Sequence, residues 1–116
     1  MRMKTTIAGA AALIFAAAAQ AHHGWSEYDS DKVLTLTGTI RDPGYEHPHG
    51  HVRLEVPGKT WHVVLAPPSR MENRGLPPTL LKAGNTATVV GYPNRSKPEE
   101  LRAERITIGG KTVELR

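Results

Sequence analysis

The sequence contains no cysteine, and this absence limits the chemistry open to a chain of 116 residues. Without thiols the protein has neither disulfides nor thiolate ligands, so a bound metal must be held by histidine, carboxylate, methionine or backbone groups. No Gly-rich phosphate loop, no G-x-S-x-G and no H-E-x-x-H is present. Aromatic residues make up only 5% of the chain. The length allows one small domain, which excludes a large two-domain active site.

Long hydrophobic runs are also scarce, since the only extended one reaches from Ile7 to Ala19. Thirteen residues are too few to span a bilayer, which takes about 20. Arg2 and Lys4 precede this run, and Ala19-Gln20-Ala21 follows it. A basic start, a short apolar run and an A-x-A site are the parts of a secretory signal peptide. We therefore expect residues 1–21 to be removed, leaving a periplasmic or secreted protein that begins at His22 and has no membrane span.

The positive charge gives little support for a nucleic-acid partner. Removal of residues 1–21 takes away two cations and lowers the formal net charge from +4 to +2. The basic side chains between residues 95 and 105 alternate with glutamates, which is typical of a solvated face rather than a phosphate track. No nucleic-acid partner is expected.

The remaining 95 residues divide into a polar N-terminal arm at 22–31 and a single β domain at 32–116. The arm is expected to be extended, with Trp25 and Tyr28 as anchors. A strand is predicted at 32–41, and Asp42-Pro43-Gly44 is expected to end it as a turn. Alternating apolar residues then predict strands up to residue 56 and at 60–65, joined by a hairpin at Pro57-Gly58.

The second half of the domain contains one predicted helix and three further strands. Ser69 and Glu72 have the S-x-x-E spacing of a capping box, and Gly75 is expected to end the helix. Strands follow at 86–92, 101–108 and 112–115. Three strands, a helix and two or three strands is the order of a small OB-like barrel of five to six strands. A small β-sandwich is the alternative fold.

Six histidines remain after processing, and five of them fall in two clusters. The first is the pair His22-His23 at the expected new N-terminus. There His22 supplies both its α-amine and its ring Nδ1, and His23 adds an imidazole next to a backbone amide. A tetragonal, nitrogen-rich set of this kind is preferred by Cu(II).

The second cluster is His47, His49 and His51, interrupted by Pro48 and Gly50. These two residues predict a bend, which can bring two of the three rings together. In the predicted hairpin, His62 lies opposite Arg53 and diagonal to His51. The sequence thus predicts a metal site with His22, His23 and His49 as the first candidates and His47, His51 and His62 as outer ones.

Several short motifs resemble the DUF6152 family of small exported bacterial proteins. The residues that carry this resemblance are Ala21-His22-His23-Gly24-Trp25, Tyr28-Asp29, Leu36-Thr37-Gly38-Thr39-Ile40, Pro48-His49, Trp61, Arg74-Gly75, Leu81-Lys82-Ala83-Gly84 and Val89-Val90-Gly91-Tyr92-Pro93. The family has Asn-Pro-His after its first strand, and here His47 replaces the asparagine. Asn85 similarly replaces a usual acidic residue. The resemblance implies a fold and an exported location, and it marks His22, His23 and His49 as candidate functional residues. It does not imply a reaction.

Three kinds of function remain open from the sequence. The first is a periplasmic metal-binding protein, preferentially for a copper ion, with a periplasmic protein as a further partner; it requires the arm to fold back toward residues 45–51. The second is a non-enzymatic module that binds an oligosaccharide, peptide or protein through Trp61, Tyr45 and basic residues. The third is copper-dependent oxidation, because an N-terminal His with a second His is similar to the histidine brace of copper oxygenases. The small domain argues against that enzyme.

Overall fold

The structure is a computed structural model that describes residues 24–116. The expected signal peptide at 1–21, and both N-terminal histidines, His22 and His23, lie outside the described residues. The domain is built almost entirely from β-strands: β1 (Leu34–Gly44), β2 (His51–Val56), β3 (Lys59–Val64), β4 (Thr86–Pro93), β5 (Glu100–Ile108) and β6 (Lys111–Glu114). One helix, α1 (Pro68–Asn73), lies between β3 and β4.

The strands form a closed barrel, which confirms the OB-like fold and excludes the sandwich. Antiparallel pairing runs in the order β3-β2-β1-β4-β5, and a parallel pairing of β3 with β5 closes the ring. Because β5 is nine residues long, its first part pairs with β3 and its second part pairs with β6. The fold is therefore a five-stranded barrel with β6 as an extra strand.

The core lies inside the barrel and is filled by aliphatic side chains from every strand of the closed ring. Ile40, Leu54, Val63, Leu101 and Ile106 are all completely buried. They occupy alternate positions of their strands, so the residues between them face outward. Burying side chains of this size is worth about 1.5–3 kcal/mol each, which makes this interior the main source of stability.

Helix α1 packs on the core through Met71, which is completely buried. The predicted capping box at Ser69 is wrong, because Pro67 is the N-cap and no side chain caps the helix. Pro68 has the φ angle that a first helical turn needs, and it begins the helix before Ser69 can act as the cap. The predicted C-terminal stop is confirmed: Gly75 has φ +91°, and the amides of Gly75 and Leu76 donate to the carbonyls of Glu72 and Met71.

Two other local expectations are wrong. Asp42-Pro43-Gly44 does not end β1; the register shifts between Arg41 and Gly44, and Asp42 takes φ +42°. The motif is a bulge, in which one extra residue lets the strand continue with a sharper twist. In the arm, residues 24–26 are helical rather than extended.

At Gly91 the backbones of β4 and β5 come very close together. A Cβ there would collide with the carbonyl oxygen of Arg102 and would lie 2.9 Å from the Cα of Ala103. The register of the two strands also shifts between Val90 and Gly91. Only glycine allows this contact between two backbones.

We expect Gly91→Ala to lower the free energy of unfolding by about 2–3 kcal/mol, because backbone atoms cannot move aside as a flexible side chain would. Urea unfolding measures the loss. The matched control is Gly58→Ala in the β2–β3 turn, where φ is +79° and a Cβ would meet nothing within 4 Å. That control should lose about 1 kcal/mol through backbone strain alone. Equal losses in the two variants would contradict the steric explanation.

Candidate functional site

The outer face of β2, β3 and β5 carries two of the predicted ligands, His51 and His62, among other polar residues. Backbone pairing places Arg53, His62 and Glu100 in one row across the three strands. The next row contains His51, Val64 and Arg102. Their sequence neighbours fill the core, so both rows face away from it. The predicted register, with His62 opposite Arg53 and diagonal to His51, is confirmed.

His51 and His62 form a close pair on this face. Their ring centroids are 5.6 Å apart, and the ring planes meet at 37°. The ring of His51 lies against the backbone of Gly44, since a Cβ at Gly44 would collide with it. Burial lowers the pKa of His62 and, although Glu100 opposes this shift, His51 and Arg53 add to it. A neutral imidazole is the form that binds metal ions, so the lowered pKa of His62 favours its binding-competent form.

His49 lies in the bend before β2 and contacts a different partner. Arg102 Nη2 lies 3.3 Å from His49 Nε2. Because arginine can only donate, His49 Nε2 accepts and the ring proton is assigned to Nδ1. Burial, together with the positive charges of Arg102 and Arg70, lowers the pKa of His49. His49 is therefore a neutral ring within a cationic environment.

The N-terminal arm packs on the same part of the barrel and is anchored by both predicted residues. The guanidinium carbons of Arg102 and Arg116 lie 4.3 and 4.4 Å from the centre of the Trp25 ring. Tyr92 meets Trp25 edge to face at 6.3 Å. The hydroxyl of Tyr28 donates to Glu100 Oε2, and burial is the first cause of its raised pKa.

Backbone hydrogen bonds complete the attachment of the arm. The amide of Asp29 donates to the carbonyl of Pro93, and the amide of Arg95 donates to Glu27, both at 2.9 Å. The arm therefore follows the end of β4 and covers the start of β5. Its first described residue, Gly24, comes so close to Arg102 that a Cβ there would lie 3.3 Å from Nη1. Arg102 thus contacts the arm on one side and His49 on the other.

The six predicted ligands do not form one described cluster. His51 and His62 meet, His49 contacts Arg102, and His47 is exposed at the bend. Within residues 24–116, no group of three or more histidine or carboxylate side chains is arranged to hold a metal ion. A site with more than two described ligands would therefore need movement of side chains or donors from outside this range.

The aromatic pair expected for the alternative binding module is not exposed. Trp61 lies in the core at 9% exposure, with Lys59 Nζ 3.6 Å from the centre of its ring. Tyr45 packs against the core, and its hydroxyl donates to the carbonyl of Leu76 at 2.5 Å. Barrel closure turns Trp61 inward, and Tyr45 is half-buried, so the two residues do not form an exposed aromatic pair.

Arg102 is the site residue that sequence reasoning missed. It was assigned to a solvated face, yet only 7% of it is exposed. The alternation of β5 does place it on the outer face, but the arm then covers it. No local pattern near residue 102 signals that cover. The one relevant signal is the aromatic residue Trp25 in a polar arm.

The comparisons with known proteins identify a family and no activity. A model described as a family of unknown function, DUF6152, matches residues 11–101. No curated protein matches the chain. None of the helices in the described range is both long and apolar enough to cross a membrane.

We expect Trp25→Leu to loosen the arm, because it removes two cation–π contacts worth about 0.5–1 kcal/mol each. The amides of Asp29 and Arg95 should then exchange with deuterium about five- to tenfold faster, since local opening sets their exchange. The matched control is Val33→Ala, which shortens an exposed apolar side chain near the arm. Unchanged exchange in Trp25→Leu would contradict the anchoring role of Trp25.

Proposed function

This chain belongs to the DUF6152 family, whose function is unknown, and we propose that it is an exported metal-binding protein that takes up copper through histidine. The observation that carries the proposal is the position of Arg102 between Gly24 and His49. It brings the first described residue of the arm to the bend that holds the second histidine cluster. This is the proximity that a site shared between arm and bend requires.

Chain connectivity limits how far the N-terminal histidines are from this point. Consecutive Cα atoms are about 3.8 Å apart, so His23 and His22 follow Gly24 within about 8 Å of chain. Imidazole and amine side groups add further reach. We therefore propose that His22, through its α-amine and ring, and His23 bind the ion, with His49 as the ligand contributed by the barrel.

The positive charges around His49 favour a site in which the arm, and not the barrel, supplies most of the ligands. Arg102 and Arg70 repel a bare divalent cation near His49, as their effect on its pKa indicates. A Cu(II) ion bound by a deprotonated backbone amide carries less net positive charge, because that amide nitrogen is anionic. The arm is thus better suited than the barrel to capture the ion first. His49 would be held by Nε2 in such a site, which requires this atom to give up its contact with Arg102.

His51 and His62 are the outer ligands in this proposal. Metal–imidazole bonds are about 2.0–2.1 Å long, and two rings with centroids 5.6 Å apart can be bridged with small side-chain rotations. Two ligands bind more weakly than a chelating N-terminus. We propose that this pair receives or passes on the ion, and that a periplasmic protein is the partner for that exchange.

The proposal depends on where the signal peptide is cut. We expect the exported protein to begin at His22, since Ala19-Gln20-Ala21 fits the cleavage pattern. Intact-mass measurement of the protein recovered from the periplasm or the medium gives the first residue directly. The matched control is Ala21→Arg, which should block cleavage and leave the precursor. An exported form beginning anywhere other than His22 would remove the terminal-amine ligand and overturn the N-terminal site.

We expect the chain starting at His22 to bind one Cu(II) ion with a Kd well below about 1 μM. One additional alanine before His22 should weaken binding by at least about tenfold, because the free amine is displaced from the ring. Calorimetry measures the affinity and stoichiometry, and paramagnetic resonance reports nitrogen coordination. His49→Ala should also weaken binding, by about tenfold or about 1.4 kcal/mol. His47→Ala, at an exposed position of the same bend, is the matched control and should bind normally.

The other outcomes contradict defined parts of the proposal. If the extra alanine has no effect and His62→Ala abolishes binding, the N-terminal site is wrong. If His47→Ala weakens copper binding as much as His49→Ala, the assignment of His49 as the ligand contributed by the barrel is wrong. If no version binds more tightly than about 1 μM, metal binding is not the function.

A further inference from the structure

We infer that the arginine cluster, Arg70, Arg74, Arg102 and Arg116, forms an anion site for a phosphate-type oxyanion. The inference does not depend on copper binding, because no histidine is needed to hold the anion. It concerns the surface where α1 meets the C-terminal strand and the start of β5. Arg102 connects this surface to the histidines.

The first argument is the absence of a carboxylate partner for Arg102. Only 7% of the surface of Arg102 is exposed, and its Nε has no hydrogen-bond partner. In the described part of the chain no carboxylate oxygen lies within ion-pair distance of its guanidinium; its polar contact there is His49. Buried charges are normally paired, because an unpaired one loses its hydration without compensation. An external anion close to the cluster would offset this cost.

The second argument is that the neighbouring arginines add charge instead of neutralising it. The guanidinium carbons of Arg102 and Arg116 lie 4.3 and 4.4 Å from the centre of the same Trp25 ring, so two cations sit against one side chain. Arg116 has Glu104 at 3.6 Å as a carboxylate partner. Among the described ion pairs none includes Arg70 or Arg74. Glu100 lies near Arg102, but its carboxylate accepts hydrogen bonds from Tyr28 and Asn94. The four arginines therefore outnumber Glu104 and Glu100, the carboxylates that the described contacts place beside them.

The third argument is a cleft beside α1 that exposes hydrogen-bond donors. Its volume is about 360 Å³, and it is lined by Pro67, Ser69, Arg70, Asn73 and Arg74. None of these residues is acidic. The two arginines are held in place from one side: Arg70 Nη1 donates to the carbonyl of Leu115 at 3.1 Å, and Arg74 Nη1 donates to Glu114 at 2.9 Å and to the backbone oxygen of Arg116 at 3.1 Å. Each guanidinium keeps further N–H groups for a ligand.

The chemistry of these donors favours a phosphate-type oxyanion. A guanidinium presents parallel N–H groups that match two oxygens of one phosphate. The guanidinium groups of Arg70, in α1, and Arg74, which follows its last residue, can together with the hydroxyl of Ser69 and the amide of Asn73 contact a tetrahedral anion from several directions. A planar carboxylate has only two oxygens in one plane and would leave some of these donors unused.

The test measures binding of phosphate to the metal-free protein, which separates it from the copper experiment. We expect inorganic phosphate to raise the melting temperature by several degrees relative to chloride at the same ionic strength, and calorimetry to give a Kd below about 1 mM. Acetate should have a weaker effect. Phenyl phosphate distinguishes a free anion from a phosphomonoester as the ligand. If it binds more tightly than inorganic phosphate, the ligand is a larger phosphorylated molecule; if it does not bind, the ligand is the free anion. Both results support an oxyanion site.

The variant Arg70→Gln/Arg74→Gln should weaken phosphate binding at least about tenfold, and Arg70→Lys should weaken it less because the charge remains. Arg41→Gln is the matched control, because Arg41 is an exposed arginine on β1 that pairs with Glu55 of β2, away from the cluster. Circular dichroism checks that each variant is folded; if the double variant is not, Arg70→Lys and Ser69→Ala supply the comparison. Equal effects of phosphate and chloride, or equal binding by the Arg70 variants and Arg41→Gln, would overturn the inference.

Discussion

The parallel pairing of β3 with β5 is the interaction on which the rest of the structure depends. It closes the barrel, and it alone places Glu100 beside His62 and Arg102 beside Val64. These residues are separated by about 38 positions in the chain. Closure also buries Trp61 and Leu101 together in one core. Both candidate sites therefore exist only because the hydrophobic interior favours a closed ring.

The N-terminal arm is the second element that determines which charged side chains are exposed on this surface. It has no periodic apolar face, and it is held by two aromatic residues and by hydrogen bonds to β4 and the following loop. The cover that it provides turns Arg102 from a surface residue into a buried cation. That burial makes a neighbouring anion favourable, and the charge of Arg102 adds to the burial of His49 in lowering the pKa of this histidine. The arm thus affects both the histidines and the arginine cluster through one side chain.

If both proposed sites bind their ions, Arg102 would couple them, because it contacts His49 and belongs to the arginine cluster beside the cleft. An anion near the cluster lowers the positive potential at His49 and favours binding of a metal cation there. If His49 binds a metal through Nε2, Arg102 loses its polar contact and gains more from a nearby anion. Linked binding of this kind is reciprocal, because the coupling free energy is a property of the pair. Under the two proposals, Arg102 would be the side chain that couples the cation to the anion.

Local patterns in the sequence were sufficient for much of the fold. Alternation of apolar residues predicted the strands and the register of the β2–β3 hairpin, because a one-residue slip would expose the core face. Gly75 was identified as the helix stop for a local reason, its left-handed φ. Two predictions failed where an adjacent proline changed the outcome: Pro68 began the helix early, and Pro43 lay in a bulge and not in a turn.

The sequence by itself determined the order of strands and helix along the chain, the family, and the presence of two histidine clusters. Local spacing and residue type are sufficient for each of these. Only the tertiary structure decided which of those side chains meet. His51 reached His62 through a hairpin, which spacing could foresee. The contact of His49 with Arg102, the burial of Arg102 and the inward position of Trp61 depend on barrel closure and on the arm. These are contacts between distant segments, and their free energy comes from packing that no local pattern encodes.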